Sequence, residues 1–112
     1  MKLRKLTLAL AAAALLLAQA DTTLQRAIRK ETMEGDLKGA IELYQKAISQ
    51  SGKDRTTAAQ ALLRLGDCYE KQGDKQARQA YERLVKEFQQ SEYLKNAKLR
   101  IADLKAKVQA AQ

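Results

Sequence analysis

Apolar residues recur at intervals of three and four along most of the chain after residue 21, and this is the period of amphipathic α-helices. Glycine and other short polar connectors interrupt the pattern. Gly35 and Gly73 are expected to end helices, and the residues expected to cap the helices that follow are Asp36, Asp54, Asp74 and Ser91. A capping-box pattern, Thr22 with Gln25, predicts the start of the first helix. The predicted helices run over about 22–34, 36–49, 55–72, 75–88 and 91–110. No segment between them has the alternating pattern of a β-strand. The pattern therefore predicts an all-α chain.

Self-comparison shows an internal repeat. The segment 40–44 matches 77–81 at an offset of 37 residues, and 61–67 matches 97–103 at an offset of 36. Offsets of this size are typical of stacked helix-turn-helix repeats. We therefore expect a short α-solenoid of antiparallel helix pairs, with about two and a half repeats: repeat 1 over 21–52, repeat 2 over 54–90 and a capping helix over 91–110.

The residues that punctuate this pattern closely resemble the tetratricopeptide repeat (TPR) signature. Those that carry the resemblance are Leu62, Leu65, Gly66, Tyr69, Gly73, Ala77 and Tyr81, with Gly35, Ala40 and Tyr44 for the second half of the first unit. The resemblance implies that Gly66 permits close approach of two helices, that Ala77 faces it, and that the two tyrosines of repeat 2 fill gaps between layers. Ile28 and Glu31 depart from the family pattern, as is expected of a terminal repeat.

The resemblance extends to periplasmic and outer-membrane-associated bacterial TPR proteins, including those of the Tol-Pal system and of outer-membrane protein assembly. It implies a non-catalytic scaffold that binds a protein or peptide partner in the concave groove formed by the first helix of each pair. The residues that would then line this groove are Arg26, Arg29, Arg64, Asp67, Lys71 and Arg100. Solvated surface charge is the alternative interpretation of each.

The first twenty residues have the organisation of a secretory signal. Basic Lys2, Arg4 and Lys5 precede an apolar stretch over 6–18, and Ala18-Gln19-Ala20 offers small residues for cleavage before Asp21. We expect an exported, periplasmic protein that makes no membrane contact after cleavage. Secretion from the cell and retention of the segment as an N-terminal anchor are the alternatives.

Composition narrows the chemistry further. The chain has no histidine, so metal sites and nucleophile–base pairs built on imidazole are excluded, and no cofactor is expected. The carboxylate pairs Glu31/Glu34 and Glu82/Glu87 are interpreted as exposed ion-pair partners. Cys68 has no second cysteine to pair with and is expected to be buried. These features argue against an enzyme.

The formal charge of +8 falls to +5 once the three basic residues of the signal segment are removed, because 18 basic residues then face 13 acidic ones. Aromatic residues suited to stacking on bases are scarce, and export conflicts with nucleic-acid binding, which we do not expect. The last predicted helix has a basic polar face. It would cap the stack, pair with a second copy to form a homodimer, or lie on a membrane surface.

Overall fold

Five helices make up the part of the chain that the computed structural model describes, namely the backbone of residues 2–112 and the side chains of 8–15 and 17–112. Their bounds are α1 Lys2–Thr32, α2 Leu37–Gln50, α3 Arg55–Lys71, α4 Gln76–Glu87 and α5 Leu94–Ala110. Each helix packs on the next one in sequence, and α1 also contacts α3. The first helices of the first two pairs, α1 and α3, therefore lie side by side, and the predicted all-α solenoid is confirmed.

The turns between helices follow from local chemistry. Gly35 and Gly73 lie in the left-handed region, with φ of 66° and 69°, where a Cβ would be strained. The Asp36 carboxylate accepts a hydrogen bond from the Gly39 N–H at 2.9 Å and so caps α2, and Asp54 caps α3 in the same way. The stops at Gly35 and Gly73 and the caps at Asp36 and Asp54 are confirmed. The caps expected at Asp74 and Ser91 are not, because the residues at the N-terminal cap positions of α4 and α5 are Lys75 and Tyr93, and neither side chain caps its helix.

The predicted start of the first helix is wrong. Thr22 lies inside α1, where its hydroxyl donates to the Ala18 carbonyl oxygen at 3.0 Å instead of capping a helix. No glycine or proline interrupts the chain between the apolar segment and Leu24, so the helix continues through the expected cleavage point. Ala20 and Thr23 are buried, and the Thr23 hydroxyl donates to Gln50 Oε1 at 2.8 Å.

The N-terminal part of α1 extends beyond the packed helices. Leu8 and Leu10 are each 71% exposed and Leu15 is also exposed. Among the described residues, the segment Leu8–Thr32 forms one helix that is long and apolar enough to cross a membrane, a criterion that signal sequences and core helices also meet. The side chains of the predicted basic region, Lys2, Arg4 and Lys5, lie outside the described residues.

The core is built from small and aliphatic side chains with two central tyrosines. Tyr44 and Tyr81 are fully buried, as is Cys68, whose burial was expected. An added Cβ at Gly66 would lie 2.4 Å from Cε1 of Tyr81, so the tyrosine ring of α4 rests directly on the backbone of α3. The three atoms nearest to that position all belong to Tyr81. Ala77 is buried in the same core, and that it faces Gly66 stays a prediction.

The last helix is only partly covered. Ala97 is its one fully buried side chain, while Ile101 and Leu104 are half-buried against α4. Val108 is 58% exposed and Leu99 is 51% exposed. α5 occupies the place of the first helix of a third repeat, and no second helix of that repeat covers it in the described chain.

Candidate functional site

Glu31 on α1 is the centre of a cluster that joins three helices. Its Oε1 accepts a hydrogen bond from the Tyr44 hydroxyl of α2 at 2.5 Å and lies 3.4 Å from Nη1 of Arg64 on α3. Its Oε2 lies 3.1 Å from Nζ of Lys71, which is about two turns further along α3. The carboxylate is only 6% exposed, so all of its charge is balanced by partners from the same chain.

An equivalent cluster occurs one repeat further on. Asp67 of α3 accepts from the Tyr81 hydroxyl of α4 at 2.6 Å and from Nε of Arg100 on α5 at 3.0 Å. Glu70 lies beside it, 2.9 Å from the same tyrosine hydroxyl and 3.3 Å from Nζ of Lys107. Each cluster thus links an acidic residue on one first helix to a tyrosine of the same pair and to cations of the next first helix.

The two clusters follow the internal repeat of the sequence. Glu31 and Asp67 are 36 residues apart, as are Arg64 and Arg100, while Tyr44 and Tyr81 are 37 apart. We call the set the charge ladder, which consists of Glu31, Tyr44, Arg64, Asp67, Glu70, Lys71, Tyr81, Arg100 and Lys107. The ladder runs along the side where the first helices α1, α3 and α5 lie next to one another.

Contacts within the ladder fix the protonation states of Glu31, Tyr44 and Tyr81. Burial opposes ionisation of Glu31, but the hydrogen bonds from Tyr44 and Lys71 and the charges of Lys71 and Arg64 outweigh it, so the pKa of Glu31 is lowered. Burial and the neighbouring carboxylates raise the pKa of both Tyr44 and Tyr81 far above its ordinary value. At neutral pH the two tyrosines are therefore donors and Glu31 is an acceptor.

Four of the six predicted groove residues belong to the ladder: Arg64, Asp67, Lys71 and Arg100. Arg26 and Arg29 do not. At about 100° per residue they project roughly 140° and 160° around α1 from Glu31, and both are exposed. Their predicted place on the concave side rests only on their position in the first helix. The contacts of Glu31 show which side of α1 faces α3, and Arg26 and Arg29 lie on the other side.

Sequence reasoning missed the role of Glu31 and of the tyrosine hydroxyls. Glu31 was expected on an exposed face, and that expectation is wrong. Glu34, Glu82 and Glu87 do form the exposed pairs expected of them, each with a basic residue four positions earlier. A search for charged residues that recur at the repeat offset would have found Arg64 with Arg100 and Lys71 with Lys107.

Between α3 and α5 the ladder borders a shallow open depression of about 540 Å³. Its lining is entirely charged: Asp67, Glu70, Lys71, Arg100 and Lys107. Arg100 is 40% exposed and contacts Asp67 through Nε, so other N–H donors of its guanidinium face the depression. Lys71 and Lys107 are 56% and 70% exposed. The depression can hold polar or negatively charged groups of a ligand.

Within the described residues, no group of three or more His, Cys, Asp or Glu side chains is placed to hold a metal ion. The sulfur of Cys68 is buried, and burial together with the charge of Glu31 raises the pKa of its thiol to about 12. It is therefore not a reactive thiolate at neutral pH.

Comparison with known proteins supports the TPR resemblance over part of the chain. Residues 60–91, which include most of α3 and all of α4, match the family model described as tetratricopeptide repeat. Neither the curated proteins nor the solved structures yield a match. The match and the helix packing together identify the fold as a short TPR-like solenoid.

Proposed function

We propose that this chain is a non-catalytic interaction module of the bacterial cell envelope that binds a peptide or helix of a partner protein along the charge ladder. TPR repeats generally mediate protein–protein interaction, and residues 60–91 match that family. The observation that carries the proposal is the row of partly exposed cations that the ladder holds beside the depression between α3 and α5.

The built-in carboxylates prepare these cations for binding. Asp67 holds one edge of the Arg100 guanidinium group, and Glu31 holds one edge of that of Arg64. Less side-chain entropy is therefore lost when a partner binds the remaining N–H donors. Because each cation already has an acidic neighbour, the surface is close to neutral. It favours main-chain carbonyl groups and single carboxylates over strongly acidic segments.

Export is part of the same proposal and rests on the N-terminal sequence. A basic start, an apolar stretch and Ala18-Gln19-Ala20 support removal of residues 1–20, and the exposed Leu8, Leu10 and Leu15 have no packing role in the domain. Terminal sequencing of the protein recovered from the periplasm is expected to begin at Asp21. Recovery of an intact chain in the membrane fraction would favour the anchor instead.

The binding proposal is tested by crosslinking capture from bacterial envelope extract with three versions of the chain. One is unchanged, one carries Arg100→Gln and Lys107→Gln in the ladder, and the control carries Arg26→Gln and Arg29→Gln. Both variants remove two exposed positive charges. We expect the unchanged chain and the control to capture the same partner and the ladder variant to lose it.

Equal capture by all three versions would refute binding at the ladder. Loss only in the control variant would place recognition on the outer side of α1 instead. Circular dichroism of each variant at the assay temperature verifies that the helices are intact, so that a lost partner reports on the surface and not on unfolding.

A further inference from the structure

One face of α5 is exposed although the matching face of α3 is covered. The five positions concerned, which we call the open face, are Lys95, Leu99, Ala102, Asp103 and Ala106, and all of them are exposed. At the repeat offset of 36 they correspond to Ala59, Leu63, Gly66, Asp67 and Glu70 of α3, which are buried or bonded to Tyr81 of α4. Leu63 is 7% exposed and Leu99 is 51% exposed. The open face is thus a helix surface of the type that this fold covers with another helix.

The charges on the open face are arranged symmetrically around Leu99. Lys95 lies four residues before Leu99 and Asp103 four residues after it, so the three side chains lie on one side of the helix. The basic and acidic groups are each about 6 Å along the axis from the central leucine. Turning a second α5 around to run antiparallel about Leu99 places Lys95 of each copy opposite Asp103 of the other.

We propose that the open face binds the open face of a second copy of this chain, so that two α5 helices pair antiparallel around Leu99. The two-fold arrangement brings the leucines together at the centre and forms two Lys95–Asp103 ion pairs. Ala102 and Ala106 are small enough to let the helices approach closely. This surface is separate from the charge ladder, so the proposal does not depend on the partner-binding function.

The surroundings of Leu99 support this occupant. Leu94 and Leu99, with the side chains of Lys95 and Lys98, line a shallow and mainly apolar depression of about 340 Å³ that receives the leucine of the second copy. Lysine stems cover apolar surface while their ammonium groups remain in water. The apolar area at the centre is small, so the dimer is expected to be weak and its formation to depend on concentration.

A charge-swap series measured by sedimentation equilibrium over a range of protein concentrations tests the pairing in the 112-residue chain. Lys95→Asp places a carboxylate opposite Asp103 of the other copy, and Asp103→Lys places two ammonium groups opposite each other. We expect either change to weaken dimerisation about tenfold or more, because two attractive contacts become repulsive. The double variant restores both pairs in the antiparallel dimer, so its dissociation constant should return to within about threefold of the original.

Rescue in the double variant cannot arise inside one helix, because the two positions are about 12 Å apart along the axis. Lys38→Asp, at an exposed position of α2, is the matched control for the change in charge and should leave the dimer unchanged. A chain that remains monomeric at all concentrations would overturn the proposal. So would association that is insensitive to both single changes, which would belong to another surface such as the apolar part of α1.

Site-specific oxidation gives a second readout. Leu99→Cys should form a disulfide-linked dimer under mild oxidation, because the two-fold axis passes beside this position, whereas Met33→Cys, at a 79% exposed position on another part of the chain, should not. Cys68 is buried and does not compete. Equal crosslinking at both positions would indicate random collision and would refute the pairing.

Discussion

The hydroxyl of Tyr44 provides the sharpest test of the charge ladder. Tyr44→Phe removes the donor that lies 2.5 Å from the Glu31 carboxylate and changes little else, because the ring is fully buried and keeps its packing. A hydrogen bond to a charged group contributes about 1.5–3 kcal/mol. Glu31 keeps its contacts to Arg64 and Lys71, so the acceptor is not left alone, and we expect a loss of about 2 kcal/mol in the free energy of unfolding.

Tyr69→Phe is the matched comparison within the same molecule. Tyr69 is also buried, but its hydroxyl accepts a hydrogen bond at 3.0 Å from the neutral side-chain amide of Gln45. A bond of this kind contributes about 0.5–1.5 kcal/mol. The two substitutions remove the same atom from the same type of residue, so the difference between them, about 1 kcal/mol, compares donation to the charged Glu31 with acceptance from a neutral amide.

Urea denaturation followed by circular dichroism in the far ultraviolet measures both variants against the unchanged chain, with the slope of the transition checked for constancy. A double variant, Tyr44→Phe with Glu31→Gln, completes a cycle and should show that the two single losses do not add. The reasoning fails if Tyr44→Phe costs no more than Tyr69→Phe, or if the two changes in the cycle are additive.

Three further outcomes are expected. Gly66→Ala should lower the free energy of unfolding in urea by about 1–2 kcal/mol, because overpacking against the Tyr81 ring outweighs the gain in helix propensity. An unchanged midpoint of the urea transition would contradict the close approach of α3 and α4. The pKa of Glu31 in the folded chain lies below its ordinary value of about 4.3. The ionised carboxylate therefore stabilises the fold fully above about pH 4.3, and this stabilisation is lost as the pH falls through the folded pKa. Between about pH 5 and 3 the free energy of unfolding should thus decrease less in Glu31→Gln than in the unchanged chain. The thiol of Cys68 should react with a chromogenic disulfide reagent only as the chain unfolds in urea, and rapid reaction of the folded protein would show that its buried placement is wrong.

The features that could be read from the sequence are those governed by neighbouring residues. Gly35, Gly73, Asp36 and Asp54 stop or cap helices through contacts within three or four positions, and all four do so in the structure. The same local rules failed at Thr22. A threonine followed by glutamine three positions later occurs at helix starts and also inside helices. Only a glycine or proline before Thr22 would have indicated that a new helix begins there.

The candidate site depended on contacts across the fold, which local patterns describe less well. Glu31 and Arg64 are 33 residues apart and meet only because α1 and α3 lie side by side. The family pattern correctly marked position 31 as unusual but not as a buried partner of Tyr44. Which side of α1 faces α3, and so whether Glu31 or the two arginines Arg26 and Arg29 lie there, depends on how α1 packs on α2 and α3. The sequence of the first helix alone does not contain this information.

The charge ladder also bears on how the chain unfolds. In a linear array of repeats, cooperativity depends on how strongly each repeat is coupled to its neighbour relative to its own stability. Glu31 joins the first repeat to the second through Arg64 and Lys71, and Asp67 joins the second to α5 through Arg100. Loss of one unit therefore leaves an acidic residue of the preceding unit without its cationic partners. The array should accordingly melt in a single transition, and a chain divided between repeats should leave neither part folded.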